Sequence, residues 1–386
     1  MEVAPGDARA LLRTLVASDS RNPDLVPGAP GERAIAERLA AILRAWGLRA
    51  ELQEALPGRP NVIARAGAAR PGYRTLMFNG HLDVVAVDGM THAPFDANVQ
   101  EGRLYGRGAS DMKAGVAAMC AAALRASQRG FQGELIVAAV VDEEFKSAGT
   151  RALVERGIGA DAAIVTEPTR LAIMPAHRGF TWVNVTCHGR AAHGSRYDLG
   201  VDAVLHASHV MTALDDWQRS ELTRRTHPLL GHASLHAGTI AGGLGWSTYP
   251  DSCRLEIERR TLPGETGDQV VAEVQAVCDR VRQRLPSFRA DVEHVFSQLP
   301  SDVAVDAAIC TALGDALRSC NESVHVAGMS AWTDAALLNA AGIPAICFGP
   351  GDMTLAHANT EYAELAEVDR ACDVLTHLAL DWCSRS

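Results

Sequence analysis

The sequence predicts an α/β fold, a sheet covered by helices on both faces, with a smaller α+β domain inserted into it. Two patterns carry this expectation. Short apolar runs at 61–64, 75–78, 135–141, 162–165 and 345–348, each bounded by polar residues, glycine or proline, read as buried strands with helical stretches between them. The middle of the chain instead reads strand, helix, strand, strand, helix, strand, the βαββαβ order of a ferredoxin-like four-stranded sheet backed by two helices.

The first element is a helix over 32–46, where Ile35, Leu39, Ile42, Leu43 and Trp46 recur at helical spacing and Gly47 supplies the stop. Further helices read at 113–128 and 147–156. In the middle segment, strands read at 181–188, 234–240, 254–260 and 289–296, and helices at 201–217 and 267–284. Gly242, Gly243, Gly245 and the Pro263-Gly264 pair mark turns inside that segment. The α/β pattern resumes after Leu299, so the first domain is expected at 1–177 and 298–386, split by an insert at 178–297.

The chain has 386 residues, enough for two or three domains at roughly 150 residues each, which excludes a small stapled fold. The balance of 36 basic and 46 acidic residues gives −10, with 47% apolar and 21% charged residues, the profile of a soluble globular protein. Phosphate recognition needs a basic excess, so no nucleic-acid partner is expected. No apolar run approaches the roughly 18 residues of a membrane span, and the first twenty residues lack a secretory signal, so a cytoplasmic location is expected. Nine cysteines without a Cys-x-x-Cys pair read as reduced core thiols.

Five segments carry chemistry. Asn79-Gly80-His81-Leu82-Asp83 follows an apolar run and sets an imidazole beside a carboxylate, the arrangement of a metal ligand and its orienting partner. Tyr105-Gly106-Arg107-Gly108-Ala109-Ser110-Asp111-Met112-Lys113 is a glycine-rich loop leading into a helix at an acidic residue. Asp142-Glu143-Glu144 puts three carboxylates at the exit of a buried strand, a costly cluster without a cation. Thr166-Glu167-Pro168-Thr169 projects a glutamate from another strand end, and Ala356-His357-Ala358-Asn359-Thr360-Glu361 supplies a histidine after a last apolar strand. Two histidines and several carboxylates suit borderline Zn²⁺, Mn²⁺ or Co²⁺. The surplus carboxylate, Glu143 beside Glu144, fits a general base for a metal-bound water.

In these five motifs, and in their order, the chain resembles the co-catalytic di-zinc hydrolases that include acetylornithine deacetylase, succinyl-diaminopimelate desuccinylase, aminoacylase and glutamate carboxypeptidase-type enzymes. The resemblance spans essentially the whole chain and implies a zinc-exopeptidase-like sheet with an inserted lid or dimerisation domain. It implies two Zn²⁺ ions, with Co²⁺ or Mn²⁺ as substitutes. His81, Asp111 and Glu167 would hold one ion, and Asp111, Glu144 and His357 the other, with Asp111 bridging. Asp83 would orient His81, Glu143 would be the general acid/base, and the Asp111–Met112 peptide would be cis.

The insert has matching residues as well. Gly189-Arg190-Ala191-Ala192-His193-Gly194-Ser195 resembles the family motif whose histidine, often reaching across a homodimer, polarises the scissile carbonyl, which gives His193 that role. The segment 258–265 resembles the substrate strand, with Arg260 at the position that binds the substrate carboxylate. Ser330-Ala331-Trp332-Thr333-Asp334 matches a segment shaping the same pocket, and a capped helix start also explains it. Two positions depart from the family pattern: Ser247 stands where many members have asparagine, and Glu258 where aspartate is usual. His92 and His188 receive no role.

The function implied is hydrolysis of the amide bond of a small N-acyl amino acid or dipeptide-like substrate by metal-activated water. A hydrolytic deaminase or ureido-amidohydrolase on the same scaffold is the alternative within enzymes, and a catalytically silent binding protein the alternative outside them.

Overall fold

The computed structural model describes residues 3–385. The chain divides into two units. The first takes in residues up to Pro175, Val303–Ala327 and the chain from Thr333 onward, and the second takes in Ala176–Asp302 with Gly328–Trp332. The short return at 328–332 lies outside the insert expected at 178–297.

In the first unit the sheet runs in the order Arg49–Leu56, Arg59–Gly67, Glu134–Val140, Thr75–His81, Ala162–Val165, Ala345–Cys347 and Ile173–His177. The four middle strands, Glu134–Val140 through Ala345–Cys347, are mutually parallel, and antiparallel strands close both sides. These four are the near-continuous apolar runs of the sequence, as strands covered on both faces require. Helix Ala114–Arg129 packs between Ala8–Val16 and Leu365–Trp382, while Arg33–Ala45, Ala148–Glu155 and Ala335–Ala340 pack on other parts of the sheet. Alanine dominates Ala114–Arg129 because the helix starts tight against a strand end: a Cβ on Gly115 would lie 1.9 Å from the Thr166 carbonyl oxygen.

Several elements had no counterpart in the sequence reading. Strand Arg49–Leu56 is a half-exposed edge, helix Ala8–Val16 is short, and Asn98–Gln100, Arg103–Tyr105 and Tyr362–Glu364 form a small separate sheet. Helix Leu365–Trp382 did carry a helical period in Leu365, Val368, Cys372, Leu375 and Ala379, all buried.

The second unit is an antiparallel sheet in the order Ser234–Gly242, Ser252–Thr261, Gly179–His188, Arg289–Gln298. Its core joins Val183, Val185, Leu255 and Ile257 to Val210, Leu214, Val274 and Val277 of helices Ala203–Ser220 and Gly267–Arg284. Strand alternation therefore turns Phe180, Trp182, Glu258 and Arg260 to the opposite face. All nine cysteines are free thiols, eight of them buried. Among the described residues no helix is long and apolar enough to cross a membrane.

Candidate active site

The carboxyl ends of the parallel strands, where α/β sheets place their ligands, gather the acidic and imidazole groups. His81 ends strand Thr75–His81, Glu143 and Glu144 follow Glu134–Val140, Glu167 follows Ala162–Val165, and His357 lies beyond Ala345–Cys347. Asp111 comes from the loop before helix Ala114–Arg129, where Gly108 takes the left-handed φ of 80° and the Asp111–Met112 peptide is cis.

These groups converge. His81 Nε2 lies 3.1 Å from Asp111 Oδ1 and 3.9 Å from Glu143 Oε2. His357 Nε2 lies 3.0 Å from Glu144 Oε2 and 3.5 Å from Asp111 Oδ2. Two trios, His81–Asp111–Glu144 and His81–Glu143–Glu167, each offer donor atoms all within 4.8 Å of one another. These trios cut across the two ligand sets that the resemblance implied: the trios share His81, whereas the implied sets share Asp111.

The electrostatics are those of an unneutralised acid cluster. Burial, followed by repulsion from Glu167, Asp334 and Glu144, pushes Glu143 well above the usual carboxylate range. Burial and Asp111 do the same to Glu167, and Glu144 rises for the same two reasons. Asp334, buried and accepting from Thr150 Oγ1 at 2.6 Å, is raised to about 6 by burial. His357 is raised to about 9, chiefly by its hydrogen bond to Glu144. Burial alone would lower His81, but the Asp111 hydrogen bond and the surrounding carboxylates outweigh it and hold the ring well above its ordinary value. Asp111 falls despite burial, because His81 and His357 flank it.

Two further carboxylates act as clamps. Asp83 meets His81 through its backbone carbonyl, which accepts from Nδ1 at 3.0 Å and leaves Nε2 facing the cluster. Its carboxylate is 3.7 Å from that ring and instead accepts the backbone N–H groups of Glu143 and Glu144 at 3.1 and 3.2 Å and the Asn22 amide at 2.9 Å. Glu361 does the equivalent for Asp111, accepting the N–H groups of Gly108, Ser110 and Asp111 and the Arg107 guanidinium at 2.7 Å. Behind Asp83, Asn22 also reaches Asp142, and Arg59 binds Asp142 at 3.0 Å, Glu32 at 2.6 Å and Asp24 at 2.6 Å. Asn22, Glu32, Arg59 and Glu361 were not found from sequence.

This donor set fits divalent cations. Four carboxylates and two imidazoles converge on loops held from behind by two further carboxylates, Asp83 and Glu361, so acidic charge is in excess within the cluster.

Residues 77–381 match the model of peptidase family M20/M25/M40. The chain belongs to that family. It is 30% identical over 384 residues to acetylornithine deacetylase of Myxococcus xanthus, covering 97% of each chain. It is 28% identical to N-formyl-4-amino-5-aminomethyl-2-methylpyrimidine deformylase of Bacillus subtilis, covering 93% of this chain and 91% of that one. Its fold is shared with a Bacillus subtilis protein described as a dinuclear metal binding peptidase from the M20 family, with a TM-score of 0.75, 17% identity and 98% of both chains covered. This M20 protein is accordingly a metal-dependent hydrolase of amide bonds.

The second unit of this M20 chain holds the remaining expected residues. His193 is exposed, with Nδ1 2.8 Å from Ser195 Oγ, and its loop is pinned where Gly194 N–H donates to the Ser247 carbonyl at 2.8 Å. Ser247 thus contributes backbone at the position of the expected asparagine. Arg260 Nε donates to Glu258 Oε1 at 2.7 Å. His188 pairs with Asp291, and His92 stacks edge-on against Tyr105.

Two outcomes follow. Arg59→Met leaves Glu32 and Asp142 buried without their cation and is expected to lower stability by about 3–5 kcal/mol, read from urea midpoints; an unchanged midpoint contradicts the network. In metal-free protein, His81, Glu143, Glu144, Glu167 and His357 all have raised affinities for protons. The stability they contribute is present below their ordinary values and is lost as pH rises through the shifted ones. Chelation is expected to lower Tm more at about pH 8 than at about pH 5.5; an equal drop at both would count against a metal centre here.

Proposed function

We propose that the protein hydrolyses the amide bond of a small N-acyl amino acid or dipeptide-like molecule, using two divalent metal ions, zinc by preference and Co²⁺ or Mn²⁺ as substitutes. The supporting observation is the convergence of Asp111, Glu144, Glu167, His81 and His357 around a further buried carboxylate, Glu143, that the ligand sets leave over. His81, Asp111 and Glu167 would hold one ion, and Asp111, Glu144 and His357 the other. Bound metals supply an acidified water and polarise the scissile carbonyl.

The chain's own residues do the rest. Glu143, whose surroundings favour its protonated form, takes the proton of the attacking water and delivers it to the leaving amine. Asp83 fixes Glu143 and Glu144 through their backbone N–H groups, so that base and ligand move together. His193 donates to the developing oxyanion, and Arg260 holds the free carboxylate of the substrate. The relatives that cleave acetyl and formyl amides support an acyl group of that size.

We also read the protein as a cytoplasmic homodimer. Strand Ser234–Gly242 is an edge of its sheet, and Ile240, Leu244 and Trp246 on or just beyond it are 52%, 78% and 106% exposed. An open apolar edge of this kind is suited to pairing with a second copy.

Glu143→Ala should retain its metal by elemental analysis while kcat for the best of a panel of N-acetyl, N-formyl, N-succinyl and dipeptide substrates falls about 10²–10⁴-fold. Full activity in that variant removes Glu143 from the mechanism, and ammonia as the product would replace amide hydrolysis by deamination. Light scattering is expected to give twice the chain mass of 41.0 kDa. Ile240→Lys should yield monomers that keep metal but lose turnover if His193 serves the partner's site; a monomeric and fully active wild-type protein contradicts both statements.

A further inference from the structure

The outward face of the second unit's sheet carries three aromatic side chains that the metal chemistry does not use. Phe180 and Trp182 have ring centroids 5.2 Å apart, and Phe296 lies 6.0 Å from the first and 5.7 Å from the second. Strand register builds the group: Phe180 is opposite Arg260, and Trp182 is opposite both Glu258 and Phe296. Trp182 remains 37% exposed, although an aromatic of its size is ordinarily covered. With Val295, Asn184 and His236 it also walls a hollow of about 440 Å³, whose charged lining is Arg254, Glu256 and Glu258.

The triad is tied to Arg260 by a shared carboxylate. Glu258 accepts from Arg260 Nε at 2.7 Å through one oxygen and from Trp182 Nε1 at 3.0 Å through the other. The Arg260 guanidinium also lies 5.4 Å from the centre of the Phe180 ring. A carboxylate bound by Arg260 therefore carries its substituent beside an apolar, aromatic surface. The cation place over Phe180 is already taken, and Arg178 adds a second guanidinium, close enough to Arg260 that burial and that neighbour's charge lower its pKa. A ligand bringing an ammonium group would meet the Arg260 charge over Phe180 and find Glu258 already engaged by Arg260 and Trp182, whereas an apolar ring meets offset or edge-on aromatic contacts.

We propose that Phe180, Trp182 and Phe296 form the specificity surface for the side chain of the substrate amino acid, selecting N-acyl derivatives of aromatic and other bulky apolar amino acids over cationic ones. The proposal rests on the assignment of the substrate carboxylate to Arg260 made above. It also gives Glu258 a function: its two oxygens hold the guanidinium and the indole in one arrangement.

The test is a set of kcat/KM values on the metal-loaded enzyme for N-acetylphenylalanine, N-acetylleucine, N-acetylalanine and N-acetylornithine, with Phe180→Ala and Phe296→Ala as separate variants of checked Tm. The phenylalanine-to-alanine ratio is expected to exceed about 10 and to fall at least fivefold in each variant, mainly through KM. A ratio near one, a preference for N-acetylornithine, or a ratio that neither variant moves overturns the proposal. So does a variant that converts a dimer to a monomer in light scattering, since the triad would then be an interface between copies.

Calorimetry with metal-loaded Glu143→Ala protein separates this inference from the reading beneath it. If no N-acyl amino acid is cleaved by the wild-type enzyme, the proposed reaction fails. Binding of N-acetylphenylalanine about tenfold tighter than N-acetylalanine, lost in Phe180→Ala, still supports the surface, and equal affinities overturn it.

Discussion

Four parallel strands end side by side, and two of their carboxyl ends, with the loop ahead of helix Ala114–Arg129, deliver like charges to one buried place. Asp111, Glu143, Glu144 and Glu167 would repel one another apart if the loops bearing them were free, and burial strengthens that repulsion. The fold opposes it by using other carboxylates as clamps. Asp83 and Glu361 bind backbone N–H groups, so the ligand-bearing loops are held by their main chains and their side chains stay available. The clamps need counter-charges of their own: Arg107 meets Glu361 directly, and Arg59 balances Asp142 and Glu32 one layer behind Asp83.

Binding metal is then the release of a constraint already present. A site assembled from short-range repulsion and long-range support has its geometry fixed before a cation arrives, which is what precise positioning of a base beside its ligands requires. Glu143 and Glu144 are adjacent in sequence and share one acceptor, so their separation is set by one turn of backbone and one carboxylate. Replacing Asp83 would loosen two functional groups at once, and replacing Glu361 would release the Asp111 loop.

The sequence made three of the ligands legible because each follows an apolar run that can only be a buried strand, and a polar residue leaving such a strand has few places to go. His81, Glu144 and Glu167 were found in that way. Arg59 was not, since one arginine ahead of proline reads as a turn, and its partners Glu32 and Asp142 are 27 and 83 residues away. Glu361 closes the His357 segment, but its hold on the Asp111 loop spans 250 residues. The role of Asp83 was half visible: proximity to His81 follows from spacing, whereas the carboxylate's grip on residues 143 and 144 depends on the parallel pairing of two strands. Helix Ala8–Val16 and strand Arg49–Leu56 escaped notice because short or half-exposed elements carry little periodicity.

Specificity is encoded under different rules. The metal-facing groups depend on the topology of the first unit, where a change at a strand end disturbs either the charge balance or a clamp. Phe180, Trp182 and Glu258 occupy outward positions of an antiparallel sheet whose inward positions supply its core, so they can be exchanged without opening a cavity or stranding a buried charge. The same amide chemistry can therefore persist while the substrate changes. Thirty per cent identity to an acetylornithine deacetylase spans the chain, yet it does not dictate what an outward-facing triad recognises. Nor does the net charge of −10, because Phe180 and Arg178 stand beside Arg260, with Glu258 already engaged by Arg260 and Trp182.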